Sequence, residues 1–478
     1  MTKNIIFFIL IIIGLSVLSV FKTIWIDETY FAEITYQLLQ GKGFHTQAAY
    51  VAHNGDPVYL YGPIYFLLSL IPVSIGGLDP FWFRLTNYLA YCGVVLVLMR
   101  YFTKRNLPKW SYFLPIILFL DPSAFENAVS GRMEAICLLF ALLAYFKYFS
   151  PSEKVSPTKY ISIGLFISLS YLTTPRAVIL FIPLAFYVLK DLITKRNISS
   201  FTLLGLSFIL PIVIWILSSV GTLDGYLDLY LNGKNFHSGD KTAVEAYLMG
   251  GFNINAYKIV LYSLLIVSYF IPKKLTTEQK RLNYSFSFIA FLFLFLVKDV
   301  GSYFAYISPL IAFIVFLNFQ NSKFKLSYLA LLGLTGFNLL IFGLKLSYNY
   351  INDNKIYNEL ETMVENNIPA NSKVITNYEF YYALRDKPVD LYYLQFGKDP
   401  KTRIDYYVNQ VKPQYVLTTK DEVKMNMFTQ AYDYNIISEY PKVSSHSLIA
   451  SFYYKLGNFF RLDYQNLVIY KLTPKSDR

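Results

Sequence analysis

Asp27 and Glu28 stand at the mouth of the first apolar run, within Trp25-Ile26-Asp27-Glu28-Thr29-Tyr30-Phe31-Ala32-Glu33-Ile34. The run before them, residues 5–24, is long enough to cross a bilayer. Two carboxylates at such a position are costly in hydrocarbon, so they call for water, a partner or a chemical task. Asp27 can equally be the N-cap of the helix that follows. A second acid-base group lies at Ser130-Gly131-Arg132-Met133-Glu134, and single basic residues stand at Arg176 and Lys298. A carboxylate can take a proton from a nucleophile, and cations can carry a phosphate, Arg through paired hydrogen bonds. Each group has a structural alternative. Arg132 and Glu134 can simply pair at a helix start. Arg176 can snorkel to headgroups. Lys298-Asp299 can anchor at the interface, and Tyr303 and Tyr306 fit an aromatic belt. His45, His53 and His237 lack metal-ligand spacing and read as loop histidines.

These residues need a frame. The chain has 478 residues, 55% of them hydrophobic and 18% aromatic, with a mean hydropathy of +0.38. That is the composition of a polytopic membrane protein. The net charge of +12 reflects Lys and Arg collecting in loops on one side of a membrane. No dense basic patch with interleaved stacking aromatics points to nucleic acid. Cys92 and Cys137 both lie in apolar runs and read as buried thiols, with neither disulfide framework nor metal spacing. The N-terminal run is long for a signal-peptide core and has no clear small-residue cleavage site, so it reads as an anchor.

About eleven runs are able to span: 5–24, 81–102, 110–127, 134–149, 159–174, 176–190, 200–220, 256–272, 284–299, 302–318 and 326–346. Residues 58–76 form a twelfth apolar run, and charge decides its place. If it lies in the interface or re-enters, every short Lys- and Arg-rich loop falls on the cytoplasmic side. Pro57, Pro63, Pro72 and Gly76-Gly77 suit such a broken segment. The first external loop is then residues 25–80, the second long one 221–255. Nearly all the unusual polar residues gather on that outer face, Asp27, Glu28, His45, His53, Asp121, Glu126, Arg132, Glu134, Arg176, His237, Lys298 and Tyr303 among them.

After Tyr348 the composition becomes that of a soluble domain, so the chain divides into a membrane module, 1–348, and an external domain, 349–478. An amphipathic helix over 351–368 precedes strand-like runs at 373–376, 389–394, 415–418, 436–440 and 467–472. Helical stretches at 378–386, 400–411 and 420–432 alternate with the earlier strands, which predicts a small α/β domain with a mostly parallel sheet. It has no glycine-rich nucleotide-binding motif. The aromatic insert 446–461 fits either a core or a membrane-resting segment.

The stretch Asp27-Glu28-Thr29-Tyr30-Phe31-Ala32-Glu33-Ile34-Thr35 resembles the opening motif of lipid A aminoarabinose transferases and related protein mannosyltransferases. These are GT-C glycosyltransferases, integral membrane enzymes that use polyprenyl-phosphate sugars. Gly62-Pro63 stands where the family has Pro-Pro, Arg84 opens the second spanning helix as the family's Arg does, and Glu134 stands where the family often places a second acid. The long first loop, short later loops and terminal α/β domain extend the resemblance over essentially the whole chain. The family's Lys-Pro-Pro motif, whose Lys contacts the donor phosphate, is Tyr61-Gly62-Pro63 here, which leaves Lys298 and Arg176 as replacement cations.

The resemblance implies an inverting transfer from a polyprenyl-phosphate donor to a lipid, glycan or protein acceptor. It implies a bacterial cytoplasmic membrane, with the site and the C-terminal domain on the periplasmic or extracellular side. Asp27 is then the base, and Glu28 and Glu134 hold the acceptor, orient Asp27 or bind a divalent metal ion through oxygen ligands. Lys298, Arg176, Arg132 and Tyr303 face the phosphate, and Tyr61, His53 and His237 line the acceptor side. Membrane lipids and the lipid-linked donor are the expected partners. The other class that fits an envelope membrane protein is a transporter or lipid flippase, which calls for charges at the bilayer midplane and repeated halves. Neither is evident in the sequence.

Overall fold

The computed structural model describes residues 14, 26–45, 61–103, 113–149, 156–195, 198–219, 222–228, 256–296, 301–322, 325–352, 356–385, 387–393, 405–420, 425, 428–440 and 466–475. The fold is a polytopic helical bundle with a small sheet domain after it. Helix α1, Ile26–Leu39, carries Asp27 and Glu28 in its first turn, where carboxylates oppose the positive end of the helix dipole. It is buried on every face from Glu28 to Thr35. Such a helix belongs inside a bundle rather than on its surface.

Helix α2, Ile64–Gly76, packs on α1. Leu67, Ile71 and Ile75 are exposed along one stripe at four-residue spacing, while Tyr65, Phe66, Ser69 and Val73 are buried on the other side. Its 13 residues reach roughly 20 Å, short of the roughly 30 Å hydrocarbon core. The remaining bundle helices are α3 (Pro80–Thr103), α4 (Phe113–Phe119), α5 (Pro122–Ala128), α6 (Glu134–Phe149), α7 (Pro157–Tyr171), α8 (Val178–Lys195), α9 (Ile198–Ser219), α10 (Ala256–Phe270), α11 (Thr277–Leu296), α12 (Ser308–Gln320) and α13 (Lys325–Asn352).

Among the described residues, four helical stretches are long and apolar enough to cross a membrane, Pro80–Phe102, Pro175–Thr194, Ile198–Ser219 and Lys325–Leu344. Helix α9 is mostly exposed and apolar, as a lipid-facing helix must be. Helix α12 is its opposite, buried along its whole length. Phe313 on α12 meets Tyr101, Phe102, Phe146 and Phe286 ring to ring.

The run 5–24 lies outside the described residues apart from residue 14. The run 110–127, expected as one span, is two short helices. Asp121 breaks it, capping α5 by accepting from Ser123 N at 3.1 Å and Ala124 N at 2.8 Å, with Pro122 at the first helical position. The other nine runs each overlap a helix, two of them, 176–190 and 302–318, after opening in a 3-10 segment.

In the terminal domain, helix α14 (Ile356–Asn367) leads into β1 (Lys373–Thr376). A 3-10 turn (Tyr378–Phe380), helix α15 (Tyr381–Arg385), β2 (Asp390–Tyr393), β3 (Tyr415–Thr419), β4 (Tyr432–Tyr440) and β5 (Leu467–Pro474) follow. The strand order is β2-β1-β3-β5-β4. Strand β1 runs parallel to β2 and β3, but β5 is antiparallel to both β3 and β4. The sheet is therefore mixed rather than mostly parallel. Strand β4 reaches its place through the chain after β3, with no long described helix between them. The end of the 400–411 stretch winds as a π-turn, Tyr407–Val411. The whole insert 446–461 lies outside the described residues.

Candidate active site

The site forms where α1, the α5–α6 turn, the Pro175–Ala177 turn and the Gly301–Tyr306 3-10 segment meet. The α5–α6 turn is set by Gly131, whose φ is +57°. A Cβ there would stand 2.8 Å from the Phe83 ring and 3.1 Å from Cγ of Glu28. Only glycine allows both that left-handed backbone and that approach to α1. The Tyr65 hydroxyl donates to the Gly131 carbonyl and holds the turn. The turn aims Arg132 under the first turn of α1.

Arg132 then serves two acids. Its Nη1 donates to Oδ2 of Asp27 at 2.5 Å. Its Nε and Nη2 donate to Oε1 of Glu134 at 3.0 and 2.7 Å. Arg132 and Glu134 are buried, whereas the Asp27 side chain is 29% exposed. Oε2 of Glu134 also accepts from Nδ2 of Asn127 at 3.0 Å, so Glu134 is held from both sides. Among the described residues, Oδ1 of Asp27 accepts from nothing. Asp27 is thus the part-exposed carboxylate of this group, anchored through Oδ2.

Glu28 faces away from that opening. It forms a bidentate pair with Arg84, at 2.6 Å from Nε and 2.8 Å from Nη2, and both side chains are fully buried. Paired hydrogen bonds of this kind fix a carboxylate in place. Glu28 is therefore held by Arg84 at the base of α1.

Arg176 lies over the Tyr303 ring with its guanidinium carbon 4.2 Å from the centroid, and Arg132 approaches the same ring at 5.7 Å. Stacking on an aromatic face leaves the guanidinium N–H groups free to reach sideways. Among the described residues, Arg176 has no carboxylate partner. Tyr61 comes close enough to Tyr303, Arg176, Asp27 and Arg132 to feel all four. Burial, then the neighbouring Tyr303, holds its hydroxyl protonated far above the ordinary phenol value. Tyr61 packs edge-on against Phe31 at 5.1 Å and Tyr30 at 6.3 Å. Gly62 explains its placement. A Cβ at residue 62 would fall 1.8 Å from the Leu172 carbonyl oxygen, so only glycine lets this loop press against the end of α7 beside Arg176.

The structure thus brings Asp27, Arg132, Glu134, Arg176, Tyr303 and Tyr61 together. Tyr306, like Tyr303 a candidate for an aromatic belt, is fully buried. Lys298, His53 and His237 lie outside the described residues. Asp27 and Glu134, the pair suited to a divalent ion, share Arg132 as their cation and do not present a metal-ligand set. Among the described residues no group of three or more His, Cys, Asp or Glu side chains is placed to hold a metal ion.

Sequence reasoning passed over Glu33. Its carboxylate is fully buried on α1 and meets the terminal domain at Tyr381 and Arg385. The only available signal was a third acid on a helix that also bears apolar residues on all sides.

Two crystal structures of ArnT from Cupriavidus metallidurans superpose on the chain, one in the apo state and one bound to undecaprenyl phosphate. Their TM-scores are 0.47 and 0.46, at 12% and 11% identity, with 98% of each chain covered in both cases. GPI alpha-1,2-mannosyltransferase 3 from Xenopus laevis is 31% identical over an alignment of 137 residues that covers 27% of this chain. The chain spans about a quarter, 24%, of that curated relative's length. No model of a known protein family matches the chain. The chain is similar, then, to ArnT along its length and to a mannosyltransferase over a limited stretch.

Proposed function

We propose that this protein is an inverting GT-C glycosyltransferase. It moves a sugar from a polyprenyl-phosphate donor to a lipid, glycan or protein acceptor at the outer face of a bacterial cytoplasmic membrane. The observation that carries the reading is one part-exposed carboxylate, Asp27, anchored to Arg132 through a single oxygen, in the same cluster as Arg176, which among the described residues has no acid partner. The donor class comes from the motif resemblance around Asp27-Glu28.

In this reading the acceptor hydroxyl gives its proton to Oδ1 of Asp27 while its oxygen bonds to the anomeric carbon. The bond from that carbon to the phosphate oxygen breaks, and its electron pair leaves with the polyprenyl phosphate. Arg176 takes the phosphate charge, with the Tyr61 and Tyr303 hydroxyls beside it. One displacement at the anomeric carbon inverts it, as in inverting glycosidases, so no covalent intermediate on the enzyme is needed. Arg132 orients Asp27, Glu134 orients Arg132, and Glu28 with Arg84 fixes the helix that carries the base. The exposed stripe of α2 rests in the membrane interface.

The test is transfer of radiolabelled sugar from a prenyl-phosphate donor by purified protein in lipid. Wild type transfers label with inversion, and Asp27→Asn does not while keeping its fold. Label transfer by Asp27→Asn at the wild-type rate removes Asp27 as base. Absence of transfer from every lipid-linked sugar, with movement of the intact lipid across a bilayer, favours a flippase. A reporter fused after Arg478 is expected outside; finding it in the cytoplasm overturns the orientation.

A further inference from the structure

The terminal domain touches α1 at more than one level. Glu33 is fully buried, and three side chains meet its carboxylate. The Tyr381 hydroxyl donates to Oε2 at 2.8 Å, Nε2 of Gln37 donates to Oε1 at 2.6 Å, and Nε of Arg385 lies 3.2 Å from Oε2. Arg385 also lies over the Tyr36 ring at 3.8 Å. Of these partners Tyr381 and Arg385 come from α15, and Arg385 is the cation that balances Glu33. The next residue of α15, Tyr382, reaches Oε1 of Glu28 at 3.5 Å.

Adjacent tyrosines thus take hold of carboxylates five residues apart on one helix. That separation is about 7.5 Å along the axis and roughly 140° around it. One contact leaves a helix able to turn or slide about the contact. Two contacts at different heights and azimuths remove both freedoms. The next residue to Glu28 on the same turn is Asp27. Burial and the adjacent Glu33 charge keep the Tyr381 hydroxyl a donor at all ordinary pH.

We infer that the terminal domain is a grip on the helix bearing Asp27, and that Glu33, Tyr381, Tyr382 and Arg385 are positioning residues that set the rotation and height of that helix. None of them touches the donor or the acceptor. They act through α1. The catalytic part of this inference rests on the proposed glycosyl transfer; the mechanical part does not.

The experiment uses the full chain in lipid nanodiscs and compares wild type, Tyr381→Phe/Tyr382→Phe, Arg385→Leu, and Glu33→Gln/Arg385→Leu. Two readouts are taken, hydrogen exchange over residues 26–39 and the steady-state transfer constants. The double tyrosine variant is expected to lose protection across 26–39 while β1 and α12 keep theirs. Its kcat is expected to drop on the order of 10-fold or more, since small misplacements of a reacting group are that costly. Its KM for the donor should hold, because Arg176 is untouched. Arg385→Leu should lower thermal stability by leaving Glu33 uncompensated, and Glu33→Gln/Arg385→Leu should recover the stability without recovering kcat. Unchanged exchange over 26–39 in the double tyrosine variant overturns the grip. Loosened exchange with an unchanged kcat overturns the positioning role. Loosened exchange in a protein whose wild type transfers no sugar leaves the grip standing and sinks the glycosyltransferase reading instead.

Discussion

Asp27 and Asp121 are the same residue in two surroundings, and their difference separates chemistry from architecture. Asp121 is fully buried and saturated. It accepts from the backbone of Ser123 and Ala124, from the Tyr257 hydroxyl at 2.5 Å and from the Ser308 hydroxyl at 2.8 Å. Its partners are all neutral, and they tie α5 to α10 and α12. Asp27 is part-exposed, and among the described residues Arg132 is its one anchor, through Oδ2 alone. A carboxylate whose acceptor capacity is used up by the protein holds the protein together. One whose capacity is half spent beside water can accept a proton from something else.

The comparison breaks most sharply at Asp27. Asp27→Asn should cut transfer by roughly 100- to 10,000-fold while the melting temperature stays near wild type. Asp121→Asn should do the reverse, and a variant pair that swaps those outcomes would refute the division. Second in size is the pair that supports α1. Arg84→Met leaves the buried Glu28 carboxylate without its cation, and stability should drop by about 3–5 kcal/mol, read by thermal unfolding. Next is Asp121→Asn itself. An amide cannot accept with both atoms, so one of its hydroxyl or N–H donors loses its acceptor, at about 1–3 kcal/mol.

The smallest effect sharpens the contrast through pH. Burial pushes the Asp121 carboxyl up to about 6, against the pull of its hydrogen bonds from Ala124, Tyr257, Ser308 and Ser123. For an acid whose folded value is raised, the folded form binds the proton more tightly than the unfolded chain. The stability from that protonation is greatest below the ordinary value near 4 and is lost as pH rises through 6. Between pH 5 and pH 7 the wild type should therefore lose roughly 1 kcal/mol relative to Asp121→Asn. A flat difference between the two proteins over that interval would show Asp121 ionised throughout.

Much of this was legible in the sequence, for local reasons. The Asp27-Glu28 pair marked the start of α1, and apolar length located nine of the bundle helices. Lys373–Thr376 was readable as a strand because the strand formers Val374, Ile375 and Thr376 sit between turn signals. The misreadings came where a local pattern had two solutions. Residues 110–127 are apolar enough to run straight through, yet Asp121-Pro122 is also a strong helix start, and its two distant hydroxyl partners settle the matter. The alternation of strands and helices implied parallel pairing, but β5 closes the sheet from the opposite direction. Least legible was Glu33, whose hydroxyl donor Tyr381 is 348 positions away. No periodicity carries that distance. The pairing of Arg132 with Glu134 was legible as a structural alternative, but Asp27 as a third member, 105 positions from Arg132, was not.

A single guanidinium, that of Arg132, is divided between Asp27 and Glu134, so the two acids share one cation. A change that retunes one is transmitted to its neighbour at once, so the trio has to be inherited or redesigned as a block.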